Sequence, residues 1–404
     1  MAPLTLADAA VWTGLDEAII RGLAGVGVTD SSENGPFETA DLQRLLTAAA
    51  YLDAGFTLEQ LRGAIADRLL SFEIADAFYQ DPIEPSGRSF GEFAAAIGEP
   101  IDRLRAVYGA FGLPLPDPTT QTRKVEEELV EAFVSVWRVA ATPDATIRAA
   151  RIVGDSARRI SEGWVDLYVE QVSLPGMERE ATYDDYVRAT VEPAARLVEL
   201  APRLIVWLQQ RHSVHAMQSV NLELFERDLV ERGVIPARPP RPPTIAFADL
   251  VGYTRMTDEQ GDQRAVDAAS RLQELAEAVA RAHGGRVVKL LGDGAMFRFE
   301  GTDTAAGAML ELAETIPASG LGPAHLGLET GPIIERDGDQ FGRTVNLAAR
   351  IASAAGAGEV LAGPDAAAAL SMDDRFALVE GGERQLKGFS PPIAVWRVAR
   401  RHGE

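Results

Sequence analysis

Five prolines fall within eight residues at Pro236-Ala-Arg-Pro-Pro-Arg-Pro-Pro243, and neither a continuous helix nor a central strand can run through such a stretch. The segment 236–243 therefore predicts an extended, semi-rigid connector between parts that fold around separate cores. The two sides differ in hydrophobic pattern. Upstream, apolar residues recur at helical spacing, as in Leu42, Leu46, Ala49 and in Leu61, Ile65, Leu69, and β-rich runs are scarce. Thr57-Leu-Glu-Gln60 and Ser89-Phe-Gly-Glu92 have the capping-box form, in which a hydroxyl and a longer side chain satisfy each other's free backbone donors. They predict helix starts near Leu58 and Phe90. Residues 119–193 read as long helices broken at Pro143 and Pro175, and a last helix is expected from about Pro202 to Gly233.

Downstream the period changes. Short β-rich runs at Thr244–Ala248, Arg286–Leu291, Ala295–Phe299, His325–Glu329, Ile333–Glu335, Glu359–Leu361, Phe376–Val379 and Ile393–Val398 alternate with amphipathic stretches, the clearest being Val266–Ala282. Asp293-Gly294 between two of the runs predicts a hairpin, because Asp-Gly readily takes the positive φ of a tight turn. The expected fold is α+β over residues 244–398, with helices on one face of the sheet, preceded by an all-α region.

Charge narrows the partners. A formal net charge of −21 and a pI near 4.7 argue against a nucleic acid or an anionic membrane surface, although one pocket can still be locally positive for a nucleotide. With no cysteine, disulfides, thiolate metal sites and cysteine nucleophiles are excluded. The first residues, MAPLTLADAAVWTGLDEAIIRG, lack a basic n-region and carry Asp8, Asp16 and Glu17, and no apolar run is long enough to span a bilayer. A cytoplasmic location without a membrane span is the expectation.

The polar residues at the ends of the predicted elements fit cyclisation of a nucleoside triphosphate. Attack of the ribose 3′ oxygen on the α-phosphate, with pyrophosphate leaving, calls for two divalent cations held by hard carboxylates. Asp249, at the end of the first strand, and Asp293, in the hairpin turn, converge if their strands are neighbours. After Asp249 comes Leu250-Val-Gly-Tyr-Thr254, a glycine-containing turn into a helix that offers backbone N–H groups to phosphates. Asn346 and Arg350 are four residues apart and share a helix face, where an arginine fork suits phosphate oxygens and an asparagine suits a ribose.

Four strings, Ala246-Phe-Ala-Asp-Leu-Val-Gly-Tyr-Thr254, Val288-Lys-Leu-Leu-Gly-Asp-Gly294, Phe341-Gly-Arg-Thr-Val-Asn-Leu-Ala-Ala-Arg350 and Leu386-Lys-Gly-Phe389, resemble in order and spacing the motifs of class III nucleotidyl cyclases. The resemblance implies a ferredoxin-like sheet core, a head-to-tail homodimer with composite sites, and ATP as substrate. It assigns metal binding to Asp249, Asp293 and Leu250, with Mg²⁺ or Mn²⁺ at two per site. Purine reading goes to Lys289 and Asp339, catalysis to Asn346 and Arg350, and phosphate binding to Lys387, Gly252 and Thr254. The base-reading pair also follows from chemistry: adenine presents the N1 acceptor beside the N6 donor, which an ammonium beside a carboxylate complements and guanine reverses. The alternatives are a nucleotide-sensing transcription regulator with a non-catalytic domain of this kind, and a cyclase for GTP or a pyrimidine triphosphate.

Residues 1–65 resemble a MerR-type helix-turn-helix module through Leu6-Ala-Asp-Ala-Ala-Val-Trp-Thr-Gly14, Phe37-Glu-Thr-Ala-Asp-Leu42 and Leu52-Asp-Ala-Gly-Phe-Thr-Leu-Glu-Gln-Leu61. They carry three arginines and nine acidic residues, which opposes DNA binding. Residues 57–220 resemble the helical inhibitory domain of mycobacterial pH-sensing adenylyl cyclases, so residues 66–235 are expected to be a regulatory and transducer region. Its apolar helix faces would suit a small apolar or lipid-like ligand, and His212 and His215, on one helix face, would suit pH as the input.

Overall fold

The computed structural model describes residues 4–72, 84–139, 142, 144–175, 183–236 and 242–401. Most of the proline connector and the expected break at Pro143 lie outside them. The chain divides into two compact units, Met1–Glu231 and Arg232–Glu404.

The first unit has two cores. Helices α1 (Leu6–Thr13), α2 (Glu17–Gly25), α3 (Thr39–Asp53) and α4 (Leu58–Ala66) enclose Leu23, Phe37, Leu42, Leu45 and Leu61. Helices α5 (Phe90–Ile97), α6 (Ile101–Phe111) and α7 (Lys124–Trp137) enclose Phe90, Phe93, Leu104, Val130 and Val134. Both capping boxes form, and Thr57 N donates to Gln60 Oε1 at 2.8 Å. The region is not all-α: β1 (Pro85–Ser89) pairs antiparallel with β2 (Gln121–Arg123). The buried Thr122 hydroxyl joins the two strands through Ser86 Oγ at 2.8 Å and the Arg88 carbonyl at 2.9 Å. These strands are held by polar groups, so they leave no hydrophobic alternation in the sequence.

Helix α8 (Ala145–Tyr168) runs into a π-helical segment, Val169–Ser173, and α9 spans Tyr183–Glu231, 49 residues with Pro193 and Pro202 inside it. The expected start at Pro202 is corrected by this. Proline suits a first helical turn, which made it read as a beginning, yet each proline removes one ladder hydrogen bond and does not end a helix this long. His212 and His215 are both exposed on it. Among the described residues no helix is long and apolar enough to cross a membrane.

The second unit is a seven-stranded sheet in the order β10-β11-β9-β6-β3-β5-β4. Its centre is β3 (Thr244–Leu250), antiparallel to both β5 (Gly294–Phe299) and β6 (Ala324–Thr330), with β4 (Arg286–Leu290) on the far side of β5. With α11 (Asp262–Ala282) and α12 (Thr302–Ala318) between the strands, this is the βαββαβ chain order and strand arrangement of a ferredoxin-like core. Beyond β6, β9 (Val360–Ala362) adds a parallel strand, and β11 (Ile393–Arg400) and β10 (Phe376–Arg384) complete the sheet.

Helices cover both faces, not one. On one side Ala246, Ala248 and Leu250 of β3 pack against Leu272, Ala276 and Val279 of α11 and Met309, Leu312 and Ile316 of α12. On the other, Ile245 and Phe247 pack against Val345, Ala348 and Ala352 of α13 (Arg343–Ala354). The run Thr-Ile-Ala-Phe-Ala has no polar alternation because the strand is buried on both sides. Each fully buried Leu or Phe contributes roughly 1.5–3 kcal/mol through removal of apolar surface from water, which fixes the β3 register and so the position of Asp249.

Candidate active site

Asp249 is the first exposed residue of β3, on the face that carries Phe247, and its register partners are Gly294 on β5 and His325 on β6. Gly294 has no Cβ for a reason: one built there would lie 2.8 Å from Asp249 Oδ1, so glycine makes room for the carboxylate. Asp293, just before it, closes the hairpin, and its carbonyl accepts from Leu250 N at 2.9 Å. The Asp249 carboxyl is pushed above the usual carboxylate range, first by burial and then by the negative charge of Asp293, with His325 only partly offsetting them. His325 itself has Nδ1 buried without a hydrogen-bond partner. Nothing in the sequence singled it out, since the pairing depends on strand register.

The Asp249 carboxyl, its proton affinity raised in part by the charge of Asp293, and the Asp293 carboxyl beside it, with no basic side chain bonded to either among the described residues, fit a divalent cation. Leu250 is itself buried, so it has only its backbone to offer such an ion. The chain then turns at Gly252, whose φ of 75° favours glycine, into α10 (Tyr253–Gln260). That helix start has no side-chain cap, which leaves the N–H groups beside the exposed Thr254 free for an anion.

Lys289 and Asp339 are fifty positions apart and are brought together. Lys289 stands on β4; Asp339 opens β8 (Asp339–Phe341), a short strand that pairs with β7 (Ile334–Arg336). Lys289 Nζ donates to Asp339 Oδ1 at 2.9 Å and Oδ2 at 2.7 Å, and both side chains stay partly exposed. This bonding holds the Asp339 carboxyl below its ordinary range. The ribbon was half-read in the sequence: β7 was expected, whereas the three-residue β8 was too short to give a signal.

Asn346 and Arg350 lie on the exposed face of α13, whose other face buries Leu347, Ala348 and Ile351. Lys387 is exposed in the β10–β11 connection, anchored by Leu386, which packs with Leu347 and Ile351, and by Arg343 stacked 5.3 Å from the Phe389 ring. Among the described residues, Asn346, Arg350 and Lys387 make no side-chain hydrogen bond or ion pair, and none links them to the Asp249–Asp293 carboxylates. Among the described residues, one chain thus holds two groups of polar residues that share no hydrogen bond or ion pair.

No family model matches the chain. It is 30% identical over 217 residues to a protein named adenylate cyclase from Streptomyces coelicolor, covering 52% of each chain, so it spans about half that relative's length. It is 25% identical over 375 residues to a pH-sensitive adenylate cyclase of Mycobacterium tuberculosis, covering 90% of this chain and 89% of that one. Among solved structures, an adenylate/guanylate cyclase/hydrolase from Silicibacter pomeroyi is 26% identical, covers 40% of this chain and 98% of that one, and has a TM-score of 0.34.

Proposed function

We propose, for this relative of the class III adenylyl cyclases, that the chain converts ATP to 3′,5′-cyclic AMP and pyrophosphate at a site completed by a second copy of itself. The observation that carries the reading is the Lys289–Asp339 pair, an ammonium on β4 bonded to both oxygens of a carboxylate on β8. Its ammonium faces the N1 acceptor of adenine and its carboxylate the N6 amino group. Guanine would set its N1 donor against the ammonium and its O6 acceptor against the carboxylate, a mismatch that discriminates strongly.

Asp249 and Asp293, with the Leu250 carbonyl, would hold two Mg²⁺ or Mn²⁺ ions, which supply charge stabilisation for the attacking 3′ oxygen and the triphosphate. The free N–H groups after Gly252, beside Thr254, receive phosphate oxygens. Asn346 orients the ribose, Arg350 stabilises charge on the α-phosphorus as its bond to pyrophosphate breaks, and Lys387 holds the terminal phosphates. Lys289, Asp339, Asn346, Arg350 and Lys387 come from the partner chain, which is consistent with the absence, among the described residues, of any hydrogen bond or ion pair between them and the carboxylates of their own chain. The exposed Leu290, Leu291, Ile334 and Phe341, on the strands and turns that carry Lys289, Asp293 and Asp339, suit burial in that interface. Symmetry then gives two equivalent sites per dimer.

The test is turnover of the purified protein with ATP, GTP, CTP and UTP, each with Mg²⁺ or Mn²⁺, with products separated by chromatography. Cyclic AMP as the main product supports the reading. No cyclic product from any nucleotide, or a preference for GTP, contradicts it.

A further inference from the structure

A cavity of about 420 Å³ opens on the β6 side of the turn that follows Asp249, away from the Asp293 hairpin. That volume lies in the range of roughly 300–1,000 Å³ typical of small-molecule sites. Its floor is apolar: Leu250 is buried, and Tyr253 and Leu321 pack against the main core, with Met256 beside them. Its mouth is basic. Arg255 is paired with Glu259 at 3.2 Å, whereas Arg264, at the start of α11, has no hydrogen bond or ion pair among the described residues. One uncompensated guanidinium over an apolar floor selects a molecule with one negative charge and a hydrocarbon body.

We propose that this cavity is a second ligand site, taking a small organic carboxylate with an apolar tail, its carboxylate on Arg264 and its tail against Leu250, Met256 and Leu321. The turn couples the cavity to the reacting end of the sheet. Leu250 N is bonded to the Asp293 carbonyl at 2.9 Å, and the next amide, Val251 N, to the Pro323 carbonyl at 2.9 Å, beside the cavity wall formed by Gly320, Leu321 and Gly322. A tail wedged between α10 and that wall shifts the peptide that carries Gly252 and its free N–H groups. The binding site stands independently of the catalytic reading.

Octanoate is the probe, titrated calorimetrically into the full chain without nucleotide, with 1-octanol as the neutral comparison. Saturable binding of octanoate, much weaker binding of octanol, and a loss of about tenfold or more in Arg264→Gln support the site. Met256→Trp, which fills the floor, should abolish binding, with circular dichroism and thermal melting confirming that both variants fold. No octanoate binding at millimolar concentration, equal affinity for octanol, or unchanged affinity in folded Arg264→Gln overturns the proposal. Should either variant fail to fold, a diazirine-bearing octanoate photolysed on the wild-type protein decides it. Label on peptides containing Met256 or Leu321 supports the site, and label confined elsewhere overturns it.

Discussion

Single side chains carry the sharpest expectations. Replacing Asp249 or Asp293 by alanine removes a carboxylate that the fold leaves unpaired, so the sheet should persist while cyclase turnover falls by a factor of about a thousand or more. Circular dichroism with a product assay measures both, and near wild-type turnover in either variant would end the metal assignment. Glu329 poses a different question. It is 2% exposed, its Oε1 accepts from Thr330 N at 2.7 Å and Ala366 N at 2.9 Å, and its Oε2 is buried without a partner. Burial pushes its carboxyl up to about 7 from an ordinary 4.5. Because the folded value is raised, the neutral form is favoured in the fold, and its stabilisation is full below about 4.5 and lost as pH rises through about 7. The melting temperature should therefore fall between pH 5 and pH 8 by an amount worth on the order of 2 kcal/mol. Glu329→Gln should flatten that slope, and an unchanged slope would show that another group sets it. Asp249, Asp293, Asn346 and Arg350 were legible as residues from motif order. His325 and Glu329 were not, because what makes them unusual is which strand lies opposite and whether water reaches them.

At the scale of elements, the β7–β8 ribbon delivers Asp339 to Lys289 and exposes Ile334 and Phe341 on the way. Phe341→Lys should leave the monomer folded and shift the dependence of specific activity on protein concentration to higher values, since a charge would enter the proposed interface. Activity with the wild-type concentration dependence would remove the ribbon from that interface. Exchanging Lys289 and Asp339 for residues that complement guanine should lower ATP use and admit GTP, checked by competition between the two nucleotides. Elements with a strong period, such as α11 and the central strands, could be read from sequence within a few residues. Three were not: the polar β1–β2 ribbon, the three-residue β8, and the stretch of α9 between Pro193 and Pro202, which joins what the sequence read as two helices. The second helical layer over the sheet was missed although the unbroken apolar run of β3 encodes it.

At the scale of the whole molecule, the two polar groups of the second unit share no hydrogen bond or ion pair within one chain among the described residues, and the proposed site needs two chains to join them. A first unit with its own cores then has a means of control, because small misplacements between halves of a site cost large factors in rate. A fragment beginning at Arg232 should make cyclic AMP with an activity per chain that differs from the full chain at matched concentration and pH; equal activity throughout would leave the first unit without a regulatory role. The most direct test of the central claim mixes two inactive proteins, Asp249→Ala and Arg350→Ala. A mixed dimer rebuilds one complete site from the intact halves, so activity should return on mixing, up to about one quarter of the wild-type level when the subunits exchange at random. If mixed dimers form, as judged by differently tagged chains, and the mixture stays inactive, the site is not shared between two copies and the account fails.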